Sequence, residues 1–150
     1  MSLDDQHGTA IVTLAGLINA AKLTGRDLKN MKVVINGAGS AGIAIAKLLR
    51  CVGFEGSQCE SVADVIICDS KGIIHSERDN LNATKQESLS YSNAEDRKGD
   101  VRAAIKGADV FIGVSKGELL NADDIRTMAA DPIIFAMANP VPEIMPEEAY

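Results

Sequence analysis

The stretch that decides the fold reads Met31-Lys32-Val33-Val34-Ile35-Asn36-Gly37-Ala38-Gly39-Ser40-Ala41-Gly42. Its first half is mostly β-branched and apolar, which predicts a buried strand over residues 31–36. Its second half matches the pattern G-x-G-x-x-G and opens a helical pattern over 40–52, which ends at Gly53. In such a strand–turn–helix frame the first glycine permits a tight turn, the second lets a ligand approach the backbone, and the third lets the helix pack on the strand.

This glycine-rich turn predicts a binding site for the pyrophosphate of a dinucleotide. The N-terminus of a helix offers unpaired N–H groups and a partial positive charge to phosphate oxygens. We therefore expect the cofactor-binding residues to include Gly37, Ala38, Gly39, Ser40, Ala41 and Gly42. The alternative is a turn that serves packing alone, and the strand–turn–helix frame favours the nucleotide over it.

The rest of the chain alternates short apolar runs with helical patterns. Strands are predicted over 63–68, 109–113 and 132–138, and helices over 9–24, 82–91, 101–106 and 122–130. Thr9, Asp100 and Asn121 are the predicted N-caps, and Gly25 is the predicted left-handed residue after the first helix. Continuous apolar strands imply burial on both faces. The predicted fold is therefore α/β, a doubly wound parallel sheet of at least four strands, with residues 1–150 as a single domain.

Asp69 ends the strand predicted over 63–68 and is the candidate for the acidic residue that binds the adenosine ribose. It lies farther past Gly42 than the usual spacing of about 20 residues, and a polar surface loop predicted over 54–62 absorbs the excess. The alternative is a solvated turn, because Asp-Ser-Lys-Gly is favourable turn chemistry. Lys71 leaves a third interpretation open, since a cation there could accept the 2′-phosphate of NADP.

Composition excludes several classes of function. The chain has 150 residues, with 21 Asp plus Glu against 15 Lys plus Arg, for a net charge of −6. An acidic chain repels phosphate backbones, so nucleic acid is not an expected partner. No apolar run approaches the roughly 20 residues of a spanning helix, so no membrane is expected. The first residues also lack the basic and apolar regions of a signal peptide.

The cysteines are three in number: Cys51, Cys59 and Cys68. An odd set without a C-x-x-C pair does not predict a disulfide framework and suits a reducing cytoplasm. We expect Cys51 and Cys68, which lie in apolar stretches, to be small buried hydrophobic residues. No His lies near a cysteine in the sequence, which disfavours a catalytic thiol.

Four blocks in order, spanning nearly the whole chain, resemble the malic enzyme family. They are Asp4-Asp5-Gln6-His7-Gly8-Thr9-Ala10; Val34-Ile35-Asn36 with the glycine turn; Asp69-Ser70-Lys71-Gly72-Ile73-Ile74 followed by Asn80-Leu81-Asn82 and Lys85-Gln86; and Ala138-Asn139-Pro140-Val141-Pro142-Glu143-Ile144. The first and last blocks are specific to the family, whereas the glycine turn alone is not.

The resemblance implies a Rossmann-type NAD(P)-binding domain of an enzyme that oxidises L-malate with NAD or NADP and decarboxylates the product to pyruvate and CO2. It implies a divalent Mg or Mn ion acting as a Lewis acid, with Asp5 as a metal ligand and Asp4 as a neighbouring carboxylate. Asn139 would contact the nicotinamide end of the cofactor, and the Gly113-Val114-Ser115 turn is a weaker candidate for ribose or phosphate contact. The alternatives for Asp5 and Asn139 are a helix-entry acid and a turn-initiating Asn-Pro.

No catalytic residue is expected within this chain. The resemblance implies that the general acid and base and the other metal ligands belong to a preceding domain, so the chain looks like a domain excised from a longer one. It further implies a cytoplasmic homo-oligomer, a dimer, as the intact enzyme. Two alternatives stay open: the cofactor domain of an amino-acid or shikimate dehydrogenase, and a non-catalytic nucleotide-sensing module.

Overall fold

The computed structural model describes residues 3–53, 59–115 and 120–137, with side chains described from Gly8 onward. A five-stranded sheet forms the centre of this part of the chain. Its strands are β1 (Lys32–Asn36), β2 (Asp64–Asp69), β3 (Gly72–Ile73), β4 (Val110–Gly113) and β5 (Ile133–Ala136), in the spatial order β3-β2-β1-β4-β5. All neighbouring pairs are parallel except β2 and β3. The predicted doubly wound α/β sheet is confirmed.

Helices cover both faces of the sheet, as buried parallel strands require. They are α1 (Leu3–Thr24), α2 (Ser40–Leu49), α3 (Ala83–Ser88), α4 (Val101–Ile105) and α5 (Ala122–Arg126). On one face, Leu17 of α1 and Ile45 of α2 join a buried cluster with Ile35. On the other face, Ile105 of α4 and Ile125 of α5 are buried with residues of β1, β2 and β4. Side chains alternate along β1, so consecutive residues contribute to opposite clusters.

The predicted N-caps Asp100 and Asn121 are confirmed, because each side chain accepts a hydrogen bond from a backbone N–H in the first turn of α4 and α5. Asn82, predicted as the first residue of a helix, is instead the N-cap of α3, with its side chain accepting from the Lys85 N–H. Gly25 has a φ of +68°, the left-handed conformation expected after α1. The helices α2, α3 and α5 end earlier than predicted, at Leu49, Ser88 and Arg126, and α4 ends one residue earlier, at Ile105.

The predicted start of the first helix is wrong. Helix α1 begins at Leu3, so Thr9 is not an N-cap but lies inside the helix, where its carbonyl accepts a hydrogen bond from the Thr13 hydroxyl at 2.7 Å. The acidic residues Asp4 and Asp5 fall in the first turn, where the helix dipole favours negative charge. The destabilising effect of Gly8, about 1 kcal/mol in a helix interior, is not enough to end so long a helix.

The short strand β3 was not predicted. Its two residues, Gly72 and Ile73, pair antiparallel with Asp69 and Cys68 at the edge of the sheet. A strand of this length carries too few residues for a periodic pattern. It turns the chain back along β2, so that the segment after it passes the carboxyl end of that strand.

The prediction for the cysteines is wrong for one pair and confirmed for the third residue. Cys51 and Cys59 form a disulfide, and Cys51 is half-buried just beyond α2 with a φ of +59°. The Val62 N–H donates to the Leu49 carbonyl, so the chain doubles back beside the helix end. Cys68 is free and fully buried in β2, and burial raises the pKa of its thiol to about 12. Cys68 is therefore a protonated packing residue at neutral pH.

Within the described residues, no helix combines the length and apolar character needed to cross a bilayer.

Candidate cofactor-binding site

The candidate site lies at the carboxyl ends of β1, β2 and β4. Strand β1 pairs with β2 on one side and with β4 on the other, so the direction in which the sheet is wound changes at β1. In open α/β sheets, ligands bind in the crevice outside such a switch point. The glycine turn follows β1, Asp69 ends β2, and Val114 and Ser115 follow β4. The sequence-predicted residues of these three strand ends are therefore brought to one edge.

Two glycines of the turn are required by the fold itself. Gly37 has a φ of +131°, and a Cβ atom there would lie 2.8 Å from Cγ2 of Val114. A Cβ atom on Gly42 would lie 1.8 Å from the carbonyl oxygen of Gly37. The N–H of Gly37 donates to the Cys68 carbonyl at 2.8 Å, which joins the turn to β2. Packing thus explains the first and third glycines of the pattern.

Packing does not explain Gly39. Its φ is −79°, which any residue adopts, and a Cβ atom built there meets nothing within 4 Å among the described residues. Gly39 is the N-cap of α2, and no side chain caps that helix. The first N–H groups of a helix have no partner within it. Open space before an uncapped helix start fits the phosphates of a dinucleotide.

Asp69 lies at the end of β2, as predicted, but its carboxylate is held by two cations that the sequence analysis did not identify. Arg78 binds both oxygens, at 2.9 Å each, and the Lys85 ammonium donates to Oδ2 at 2.7 Å. The Lys71 N–H donates to Oδ1 at 2.9 Å. A carboxylate offers about four acceptor positions. All four are filled by these bonds.

The cluster of Asp69, Arg78 and Lys85 is largely buried, with side-chain exposures of 7%, 9% and 23%. Burial by itself raises the pKa of Asp69. The hydrogen bonds from Arg78, Lys85 and the Lys71 N–H outweigh it and lower the pKa to about 2. Asp69 is therefore ionised at neutral pH, and one carboxylate faces two buried or half-buried cations. The solvated-turn interpretation of Asp69 is wrong for the side chain, although Lys71 itself is exposed.

The sequence shows both cations close after Asp69, but no sequence motif connects them to its carboxylate. Arg78 and Lys85 follow Asp69 within a short polar stretch, and Lys85 belongs to one of the blocks that carried the family resemblance. Only the antiparallel turn through β3 brings them back to the end of β2.

The family model described as "Malic enzyme, NAD binding domain" matches residues 6–150. The chain belongs to the malic enzyme family. It is 53% identical over 97% of its length to the bifunctional malic/malolactic enzyme of Bacillus subtilis, and 49% identical over 97% to the NADP-dependent malic enzyme of Rhizobium meliloti. The matched region is 34% and 18% of those proteins, so the chain spans about a third or less of their length.

A solved malic enzyme has the same fold. The crystal structure of the NAD-dependent malic enzyme of Thermotoga maritima superposes with a TM-score of 0.87 at 44% identity, covering 97% of this chain and 37% of that one. The chain is thus the NAD-binding domain of a malic enzyme, as the resemblance implied, and the alternative of an amino-acid or shikimate dehydrogenase is set aside. The family includes relatives named for NAD and relatives named for NADP.

The residues that the malic enzyme resemblance implies for the metal and the nicotinamide, Asp4, Asp5 and Asn139, lie near the two ends of the chain. The backbones of Asp4 and Asp5 lie in the first turn of α1, not before the helix as expected, and their side chains are outside the described part. Asn139 lies outside the described residues altogether. Among the described residues, no group of three or more His, Cys, Asp or Glu side chains could hold a metal ion.

Proposed function

We propose that this domain binds NAD or NADP at residues 37–42 and that it serves an enzyme which oxidises L-malate and decarboxylates the product to pyruvate and CO2. The observation that carries the proposal is the open space at Gly39, the one glycine of the motif for which packing offers no reason. The malic enzyme family and the names of the relatives support the same cofactor and substrate.

In this proposal the motif binds the pyrophosphate of the cofactor, and its glycines have different roles. The N–H groups of Gly39, Ser40 and Ala41 bind the pyrophosphate at the N-terminus of α2, where the helix dipole is positive. Gly37 and Gly42 hold the turn and the helix in the geometry that points those groups outward. The Val114–Ser115 turn, which contacts Gly37, forms the wall on the β4 side.

The adenosine ribose is assigned to the end of β2, beside Asp69. Because the four acceptor positions of this carboxylate are filled, a ribose hydroxyl binds it only by displacing a donor. Lys85 is the more exposed of the two cations and is the donor that exchanges. The two cations exceed the single carboxylate by one charge, which suits the 2′-phosphate of NADP. We therefore propose that both cofactors bind and that Lys85 favours NADP.

The metal site is proposed to include Asp5, with Asp4 beside it and the remaining ligands outside this chain. When bound, Mg or Mn supplies a Lewis acid for the C2 oxygen of malate. A carboxylate in the first turn of α1 provides a hard oxygen ligand, which such ions require. Asn139 is proposed to contact the nicotinamide end. In the intact enzyme, Asp5→Asn should raise the metal concentration needed for activity and leave cofactor affinity unchanged.

The whole enzyme is proposed to be a cytoplasmic homo-oligomer, a dimer. Three apolar residues of α1 support a further contact on that helix: Ile11, Val12 and Leu23 are 60%, 70% and 85% exposed. A disulfide such as Cys51–Cys59 persists in oxidising compartments, so the state of this cysteine pair in cells tests the proposed cytoplasmic location. Alkylation of cells lysed directly into denaturant, which also exposes the buried thiol of Cys68, distinguishes the two states of the pair: three modified cysteines support the cytoplasm, and one modified cysteine contradicts it.

Two assays test the proposed function. Calorimetric titration of the chain with NADH and NADPH should give binding, and its absence would contradict a cofactor domain. The chain alone, supplied with malate, Mn and NAD(P), should form no NAD(P)H, because the general base and the other metal ligands are assigned elsewhere. A longer protein that contains this chain and its preceding domain should form it. A longer protein that binds cofactor but never oxidises malate would favour the nucleotide-sensing module instead.

A further inference from the structure

Asn36 is a buried polar residue in a strand whose other buried residues are apolar. It is the last residue of β1, directly before Gly37, and it is 4% exposed. Its Nδ2 atom has no hydrogen-bond partner among the described residues. The three residues before it in the strand are apolar, as is usual for a buried parallel strand. A buried donor without a partner destabilises a fold, so an asparagine here has a cost that an apolar residue would avoid.

The backbone around Asn36 is firmly held. Its carbonyl accepts a hydrogen bond from the Val114 N–H at 2.9 Å, and the next N–H, of Gly37, donates to the Cys68 carbonyl at 2.8 Å. These bonds join β1 to the ends of both β4 and β2. The amide is therefore fixed at the switch point of the sheet, the place at which open α/β sheets bind ligands.

The residues in register with Asn36 are small. Across the sheet its row contains Cys68 of β2, Gly113 of β4 and Ala136 of β5. Side chains at one level of a parallel sheet point to the same face. On the β4 side, therefore, the row contains only a glycine and an alanine. No bulky side chain of that row fills the space beside the Asn36 amide.

We propose that the Asn36 amide donates a hydrogen bond to an oxygen of the pyrophosphate or of the ribose on its nicotinamide side. This inference rests on the proposed function, since it requires the dinucleotide to lie over the glycine turn. The oxygens of that part of the cofactor are all acceptors, which match an unpaired N–H donor. Rotation about the Cβ–Cγ bond interchanges Nδ2 and Oδ1, so the donor can turn toward the ligand while the backbone stays fixed. Asn36 is thus a binding residue for the cofactor, not a structural polar group.

The test combines the stability of the free protein with the affinity for cofactor fragments. Asn36→Leu removes the amide at similar volume, and Asn36→Ala does so without any chance of overpacking. We expect Asn36→Leu to keep or raise the melting temperature of the free chain, because an unpaired donor is removed. The affinities for NADH and ADP-ribose should fall about tenfold, which is the loss of one hydrogen bond to a charged or polar oxygen. The affinity for AMP, which lacks the bridge and the second ribose, should not change.

Asn93 provides a matched control. It is 5% exposed, but its amide donates to the Ile74 and Arg97 carbonyls at 3.0 Å each and accepts from the Arg97 N–H at 2.9 Å. Asn93→Ala should therefore lower the melting temperature far more than Asn36→Ala does.

Two results would overturn the inference. A marked loss of stability in both Asn36 variants, with NADH and ADP-ribose bound as tightly as by the wild type, would make the amide structural. Unchanged affinity in a stable Asn36→Leu protein would equally exclude a contact with the cofactor. Failure of the wild-type chain to bind any dinucleotide would instead overturn the proposed function, and this inference with it.

Discussion

The first turn of α2 packs so closely on Gly37 that a Cβ atom added to Gly42 would lie only 1.8 Å from the Gly37 carbonyl oxygen. Gly37, the first glycine of the motif, is therefore in close contact with the first turn of α2. This contact explains how a turn of so few residues can carry the chain from the end of β1 into a helix that packs back on the sheet. It also separates the structural glycines of the motif from Gly39, where an added Cβ atom would meet nothing within 4 Å among the described residues.

The first prediction concerns that contact. Gly42→Ala should destabilise the chain by about 3 kcal/mol or more, because neither the backbone oxygen nor the helix can move away without breaking the turn. Gly8→Ala is the control, since Gly8 lies inside α1 with open space at its Cβ position. It should stabilise the chain by about 0.5 to 1 kcal/mol. Urea unfolding measures both, and a neutral Gly42→Ala would contradict the packing described.

The second prediction concerns pH. The Asp69 carboxyl group has a pKa of about 2 in the folded chain, against an ordinary pKa of 3.8. At pH values above 3.8 its ionised form therefore contributes about 2 kcal/mol to the free energy of unfolding. A group with a lowered folded pKa loses its contribution as the pH falls. Stability should therefore decline between about pH 5 and pH 2.

Asp69→Asn isolates that contribution. The variant should be less stable than the wild type at pH 7, because Arg78 and Lys85 lose their charged partner, and the difference should shrink toward pH 2. Asp79→Asn makes the same chemical change at an exposed position and should have little effect. Equal acid sensitivity of the wild type and Asp69→Asn would show that the carboxylate is not held as described.

The third prediction concerns the choice of cofactor. Lys85→Gln removes one of the two cations that neutralise Asp69 and leaves the Arg78 pair in place. The affinity for NADPH should fall by about tenfold, since a phosphate loses one charged hydrogen bond, and the affinity for NADH should change less. Fluorescence titration with both cofactors measures the ratio. A larger loss for NADH than for NADPH would contradict the assignment.

The fourth prediction concerns the disulfide. Without reductant, the unfolded chain should expose one reactive thiol, that of Cys68, and with reductant three. Reduction should lower the stability by about 2.5 kcal/mol, the chain-entropy effect of so short a loop. The double variant Cys51→Ser with Cys59→Ser should be insensitive to reductant. Equal stability of the oxidised and reduced chains would show that the crosslink does not support this end of α2.

Local patterns predicted the frame of this domain well. The β-branched runs identified β1, β2, β4 and β5, and polar N-caps identified α4 and α5, because burial on a sheet and satisfaction of helix N–H groups act within a few residues of the chain. The glycine turn was recognised for the same reason.

What could not be predicted depends on contacts between distant positions. The pairing of Asp69 with Arg78 and Lys85 arises from the reversal through β3, which leaves no periodic signal. The disulfide required knowledge that the chain doubles back after α2. The sequence also carries no sign that Nδ2 of Asn36 has no partner among the described residues, since an asparagine before a glycine turn is ordinary turn chemistry.

We propose that the open space at Gly39 is reserved for a dinucleotide. Gly39→Val introduces a branched side chain into that space with no described neighbour to clash with, and a change of N-cap residue costs only about 1 kcal/mol. Calorimetric titration with NADH should therefore show binding by the wild type and a loss of at least about a hundredfold, or about 2.7 kcal/mol, in a Gly39→Val protein that is still folded. A folded Gly39→Val protein that binds NADH with unchanged affinity would contradict the account.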